Sequence, residues 1–351
     1  MKKLYSLFLL LTGLLCFTSC GDDDYTYTAP ETLDVTKADL YFKSPGGTGN
    51  IEIKTDRELT VASSVDWCTV SVSGSMVTAK TIENPSIESR SGTITVSDGI
   101  LTSLIAVYQE GLAYFVDTST LKSANNNSAG STFVTVDSSS PYTVTIPQNA
   151  TSWLSYAKDD TGKVTFSFTA NTTGTLRGAC VIIESGMKKT ALTIAQYEME
   201  DLIGAWKAVY FDSEDYYQED IEISKSNDNM IVLNFTPLTP GATSIFPCTY
   251  KDGVVKVQGG AAQGRFQSYY LFNTVFTEDK DMSWEAPQTY SGSAEVTTDG
   301  VFTLKFYDDG SWPNKVIKGI ALGAFSTPTP SDAGLQGYLA VYLDLVLYKL
   351  P

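Results

Sequence analysis

Two kinds of side chain in this sequence are spaced so that they could do chemistry. One is a crowd of carboxylates and the other is a set of tryptophans among polar residues. Glu214, Asp215, Glu219, Asp220 and Glu222 fall close together. Two carboxylates can hydrolyse a glycosidic bond, one kept protonated by an apolar pocket and one ionised. Strand alternation splits this set, placing Glu219 with Ile221 and Ile223 on one face and Asp220 with Glu222 on the other. A hydrated surface is therefore expected, with no catalytic residues and no enzyme. Trp284 lies in Lys280-Asp-Met-Ser-Trp-Glu-Ala-Pro-Gln-Thr-Tyr290, and Trp312 in Asp308-Asp-Gly-Ser-Trp-Pro-Asn314. An indole held among Asp, Ser, Gly and Pro can stack on the C–H face of a sugar ring while nearby carboxylates and amides bond its hydroxyls. Trp284, Glu285, Trp312 and Asn314 are thus the expected carbohydrate-binding residues. The other reading is a pair of rings tucked back over their own domain. Tyr216-Tyr217 is a weaker candidate, because one of two adjacent strand residues must face inward.

The chain contains no histidine, which removes Ser-His-Asp and Cys-His catalysis and every histidine metal ligand. Cys68, Cys180 and Cys248 are too scattered for a disulfide framework or a zinc site, and read as small buried apolar residues. No Asp-x-Asp-x-Asp-Gly spacing marks a calcium loop. No metal and no cofactor are expected. The net charge of −16 excludes nucleic acid as a partner.

The first residues carry targeting information. Lys2 and Lys3 precede the apolar run Leu4–Leu15, which is shorter than the ~20 residues a bilayer span needs. A basic start, a short apolar core and small residues before a boundary describe a cleaved signal peptide, residues 1–19. Thr18-Ser19-Cys20 resembles the lipobox of bacterial lipoproteins, with Phe17 where that family usually has Leu. The resemblance implies that Cys20 is lipidated. Gly21-Asp22-Asp23-Asp24 resembles the acidic signal that sends Bacteroidetes lipoproteins to the outer face of the outer membrane. Asp22, Asp23 and Asp24 are then a surface-export signal, and residues 20–32 a tether. Attachment to the membrane is expected through lipid alone. Removing residues 1–19 takes Lys2 and Lys3 from the 24 basic residues, leaving 22 against 40 acidic, a net −18.

The middle of the chain repeats. Asn84 and Asn171, Arg90 and Arg177, and Gln109 and Gln196 are each 87 residues apart. Trp67-Cys-Thr-Val corresponds to Trp153-Leu-Ser-Tyr. Alternating stretches such as Asn50-Ile-Glu-Ile-Lys54 and Val164-Thr-Phe-Ser-Phe168, with Gly-rich turns between, predict two immunoglobulin-like antiparallel sandwiches over residues 33–111 and 112–199. Trp67 and Trp153 are expected in their cores, and Arg90 and Arg177 bonded to carbonyls or a carboxylate at the rim. This order of Trp, Asn-x5-Arg and a last strand ending in Gln resembles the BACON domain of Bacteroidetes. The second copy departs from it at Ser123–Gly130. The resemblance implies carbohydrate binding or a spacer role.

Residues 200–351 are richer in aromatics and predict about ten strands, closed as a β-barrel or curled as a sandwich, with Asp-Gly turns at Lys251–Gly253 and Thr298–Gly300. The opening Leu202-Ile-Gly-Ala-Trp206 resembles that of lipocalin-like (calycin) barrels, in which the Trp closes the barrel floor. In an up-and-down meander of these ten strands, successive connections alternate between the two ends, which puts the Trp284 and Trp312 loops at one end. The same alternation puts Lys251–Gly253 with them and Tyr216-Tyr217 at the other end. The whole reads as an all-β, non-catalytic surface lipoprotein that binds glycan and joins an outer-membrane glycan-uptake complex. A stalk binding a protein partner and a barrel holding a small apolar molecule are the alternatives.

Overall fold

The computed structural model describes residues 32–239, 242–285 and 287–350. Cys20 and Asp22–Asp24 lie outside the described residues. Two compact units are present. Among the described residues, one comprises those up to Tyr41, Thr48–Thr81 and Ser91–Tyr108, and the other Phe42–Gly47, Ile82–Arg90 and those from Gln109 onward.

The first sandwich contains β1 (Asp34–Ala38), β2 (Tyr41–Phe42), β3 (Gly47–Lys54), β4 (Thr60–Ser63), β5 (Cys68–Ser73), β6 (Met76–Thr81), β7 (Arg90–Ser97) and β8 (Thr102–Gln109). Its sheets have the orders β1-β3-β6-β5 and β2-β8-β7-β4. Alternation buries Ile51 and Ile53 on β3, Val77 and Ala79 on β6, and Ile94 and Val96 on β7, together with Trp67.

The second sandwich contains β9 (Tyr114–Asp117), β10 (Ala124–Asn125), β11 (Gly130–Ser138), β12 (Thr143–Thr145), β13 (Leu154–Lys158), β14 (Lys163–Phe168), β15 (Arg177–Ser185) and β16 (Lys188–Gln196). The orders are β13-β14-β11-β9 and β10-β16-β15-β12. Trp153 packs in its core with Val134, Phe166, Val181 and Ile194. Both repeat tryptophans are thus core residues, as expected.

The matched Arg, Gln and Asn form one device, built twice. Arg177 donates from Nε (3.0 Å) and Nη2 (2.7 Å) to Gln196 Oε1. Gln196 Nε2 donates in turn to the Asn126 and Ser128 carbonyls. Arg90 makes the same pair of bonds to Gln109, whose amide donates to the carbonyls of Lys43, Ser44 and Ile82. Asn84 and Asn171 each close a loop by donating to the carbonyl four residues on. The landmarks legible at one offset are therefore ties between loops.

The last domain contains β17 (Gly204–Phe211), β18 (Tyr216–Asn227), β19 (Met230–Thr239), β20 (Ala242–Lys251), β21 (Val254–Gln258), β22 (Ala262–Phe266), β23 (Tyr269–Thr277), β24 (Met282–Ser283), β25 (Thr289–Val296), β26 (Phe302–Asp308), β27 (Ile317–Phe325) and β28 (Leu335–Lys349). Eight of them close a barrel in the order β17-β18-β19-β20-β21-β25-β26-β28, with β28 pairing back to β17. The remaining four are not staves. β22, β23, β24 and β27 form a side sheet along the first half of β28. The expected ten strands are therefore twelve, and residues 266–276 are not one stave.

The barrel is filled by its own side chains. Trp206, Ala208, Ile223, Ile231, Leu233, Phe246, Cys248, Val255, Leu304 and Leu347 are fully buried in one cluster. Trp206 closes the floor. Its Nε1 donates to the Leu202 carbonyl at 2.7 Å, and Lys349 Nζ lies 4.9 Å from the ring centroid. The second sandwich is seated on that floor, since Ala124, Cys180, Ala195 and Tyr197 belong to the same apolar cluster. Val296 N donates to Thr193 Oγ1 at 2.9 Å, and Tyr197 OH donates to the Gly253 carbonyl. Gly253 has φ +81°, and a Cβ there would lie 2.4 Å from Ala124 Cβ, so the Asp-Gly turn also permits close docking.

Candidate functional site

Strand directions fix what each end of the barrel presents. The turns at Lys251–Val254 and Val296–Phe302 lie at the sandwich end. The turn after Phe211, the excursion from Gln258 to Thr289, and the connection after Asp308 lie at the far end. Trp284 and Trp312 therefore share the far end. Lys251–Gly253 sits at the opposite end and Tyr216-Tyr217 at the same one, the reverse of the expectation for both. The cause is the extra stave counted at 266–276. β21 pairs directly with β25, so one fewer crossing separates Lys251 from the tryptophan loops.

The two tryptophans border one cleft. With Met282, Ser283, Glu285, Gln288 and Asp332 they line its volume of about 180 Å³. Neither ring is free in solvent and neither is core. Trp284 stands edge-on to Phe325 at 5.0 Å, and Trp312 packs partly against the barrel cluster. Glu285 and Asp332 are exposed. Asn314, expected here, does not line the cleft. It is exposed, at φ +63° in the turn below Trp312. Ser283, Gln288 and Asp332 were not anticipated. Gln288 shares the loop of Trp284 and completes its pairing of acid and amide. Asp332 comes from the β27–β28 connection, and nothing near it in the sequence marks it.

The loops are held from below by a partly buried carboxylate. Asp309 Oδ2 accepts from Lys256 Nζ (2.8 Å), Thr289 Oγ1 (2.6 Å) and Ser291 Oγ (2.7 Å), and Oδ1 accepts from Ser311 N (3.1 Å). Burial opposes its charge, but the bonds from Lys256, Thr289, Ser291 and Ser311 outweigh it and hold the carboxyl well below the usual range. Ser311 also accepts from Thr289 N and donates to the Thr289 carbonyl, stitching the Trp312 loop to the Trp284 loop. Lys315 bridges Asp281 (2.6 Å) and Asp279 (3.0 Å), and both carboxylates raise its ammonium above the usual value. On the other side Gly259 and Gly260 lie against the Trp284 backbone. A Cβ on Gly260, at φ +89°, would meet the Trp284 carbonyl oxygen at 2.6 Å. The tryptophans are thus fixed through their backbones while their rings border open space.

Chemically the cleft offers two indole surfaces, two carboxylates and the Gln288 amide, whose oxygen accepts from the buried Ser283 hydroxyl at 3.2 Å. It is smaller than the ~300–1,000 Å³ of pockets that engulf a ligand. It suits one ring of a larger, exposed molecule. The carboxylates of β18 do not join it. Ile221 and Ile223 are buried inside the barrel, Asp220 and Glu222 are exposed outside, and Glu219 accepts from Tyr210 OH at 3.0 Å.

Residues 56–110 and 135–197 match the BACON family model, described as "Putative binding domain, N-terminal". No curated protein matches the chain. Among solved structures, an NMR structure of a protein from Bacteroides thetaiotaomicron is 16% identical over 26% of this chain and 98% of that one, with a TM-score of 0.22. A titin tandem is 8% identical over 79% of this chain and 95% of that one, with a TM-score of 0.34. An endo-fucoidan hydrolase of glycoside hydrolase family 107 is 15% identical over 48% of this chain and 29% of that enzyme, with a TM-score of 0.25. The middle of this all-β chain thus carries two BACON-type, immunoglobulin-like sandwiches, followed by a closed eight-stranded barrel.

Proposed function

We propose that this protein is a non-catalytic, lipid-anchored surface protein whose barrel binds glycan through the Trp284–Trp312 cleft. One observation carries the reading. Two tryptophan loops remote in sequence converge with Glu285, Gln288 and Asp332 at the barrel end turned away from the second sandwich. Aromatic faces bordered by hydroxyl-binding groups suit a sugar ring, and the shallow cleft suits a unit within a chain. The BACON modules serve as spacers between anchor and barrel. Lipidation at Cys20 and export by Asp22–Asp24 would place the cleft outside the cell, within reach of a glycan-uptake complex. The filled interior of the barrel gives no support to an apolar small-molecule carrier. A glycan array probed with residues 21–351, and with the same chain carrying Trp284→Ala and Trp312→Ala, tests the reading. Binding to glycans that both substitutions abolish supports it. Absence of binding to every glycan, or binding indifferent to both, rejects it.

A further inference from the structure

A second groove lies at the far end of the barrel. Tyr210, Asp212 and Tyr217 line one side and the run Tyr338–Tyr342 lines the other, around about 300 Å³. That run is a strand edge. On one side, β28 pairs with β27 from Leu335 to Leu343. On the other, β17 ends where Phe211 meets Leu343, and the chain turns away at Asp212. Among the described pairings no strand continues β17 along Tyr338–Tyr342. Alternate residues of an antiparallel strand direct both N–H and C=O to the same side, so this edge presents main-chain groups without a ladder partner. Exposed edges are usually blunted by Lys or Pro. Leu335–Tyr342 contains no charged residue and no proline. Its one protection near the groove is a bulge at Leu339, skipped between the pairs Leu322–Ala340 and Gly323–Tyr338. Tyr217, Tyr338 and Leu339 at the rim are all exposed.

We propose that this groove is a strand-addition site for a short, basic, extended segment of a partner protein. A peptide offers the main-chain donors and acceptors that complement an open edge, and the tyrosines at the rim receive its alternate side chains. The charge of the segment follows from the surroundings. Asp212 lines the groove, Glu219 holds the hydroxyl of Tyr210, Glu214 and Asp215 occupy the adjoining turn, and no lining residue is basic. Lys207, on the strand that leads into the groove, is engaged by Asp220 at 2.6 Å. A second copy of this chain, at net −16, and its own Asp22–Asp24 segment share the sign of the groove and are repelled by it. The bulge sets the length, since Ala340–Tyr342 is the uninterrupted open stretch between Leu339 and the Phe211–Leu343 pair.

The test titrates labelled Lys-Val-Lys-Val-Lys-Val against residues 21–351, beside Glu-Val-Glu-Val-Glu-Val and Lys-Pro-Lys-Pro-Lys-Pro. The first should bind about tenfold more tightly than either of the others. Amide exchange at Ala340–Tyr342 should slow in its presence. Leu339→Lys should weaken it about fivefold by placing a repelling charge on the edge. Tyr217→Ala, at an exposed position, should also weaken it, and Trp284→Ala should leave it unchanged. Equal binding of the Lys-Pro peptide would reduce the effect to charge alone and overturn the proposal. So would equal binding of the Glu-Val peptide, no binding of any, or unchanged binding by folded Leu339→Lys and Tyr217→Ala variants.

Discussion

Replacing Asp309 with alanine removes at once the ion pair to Lys256 and the acceptors used by Thr289, Ser291 and the Ser311 amide. The Asp309 side chain is 11% exposed, Ser291 is fully buried and Thr289 nearly so. Lys256, 44% exposed, can turn to water and loses little. The two hydroxyls cannot, and a buried group left without a partner costs about 1–3 kcal/mol. Asp309→Ala should therefore destabilise the barrel by about 2–4 kcal/mol, which for a unit of this size lowers Tm by roughly 4–16 °C. Asp309→Asn keeps one acceptor and should fall between. Calorimetry of residues 21–351 measures both. The pH dependence has a definite sign. The carboxyl is held below its usual range when folded, whereas in the unfolded chain it takes up a proton near about pH 4. Its contribution is thus complete above about pH 4 and is lost as pH falls below that. Between about pH 4 and 2 the parent should lose more stability than Asp309→Asn. A Tm for Asp309→Ala within about 2 °C of the parent would refute the view that this carboxylate holds the far-end loops together.

Three further outcomes are expected. Trp67→Ala and Trp153→Ala should each destabilise its own sandwich by about 3–5 kcal/mol, read as separate shifts in thermal unfolding, and an unchanged melt would remove them from the cores. Gln196→Ala removes one of the acceptors of Arg177, which keeps the Thr169 carbonyl, and takes the donor from two carbonyls, and should cost about 1–3 kcal/mol, with Gln109→Ala matching it in the first copy. Cys20→Ala should release a soluble protein, and replacing Asp22–Asp24 with Asn should keep it on the membrane but shield it from external protease. Protease-resistant protein on intact parent cells would rule out surface display.

Much of the fold was legible because its signals are local. Strand alternation predicted the buried positions of β3, β14 and β18, and the Asp-Gly turn at Lys251–Gly253 fixed a hairpin through positive φ at Asp252 and Gly253. The Asn, Arg and Gln landmarks were visible because a duplicated tie needs the same side chains at the same offset. The side sheet was not legible. β23 is buried on both faces, so its text lacks the alternation that separates a stave from an excursion, and its partner β27 lies about 50 residues downstream. That gap misplaced Lys251–Gly253 and Tyr216-Tyr217, while the two tryptophans kept their shared end because no miscounted stave stands between them. Trp284, Glu285 and Trp312 could be picked from loop composition. Asp332 and the anchoring Asp309 could not, since their roles depend on pairings made across the barrel.

The central claim is most directly tested by the affinity of residues 21–351 for an array-selected glycan, measured by calorimetric titration for the parent, Trp284→Ala, Trp312→Ala and the double variant. A stacked ring is worth about 0.5–1.5 kcal/mol by analogy with aromatic pairs, so each single change should weaken binding roughly 2- to 12-fold. The double change should weaken it by at least the product of the two. A folded double variant that binds the same glycan with the parent's affinity would contradict the account.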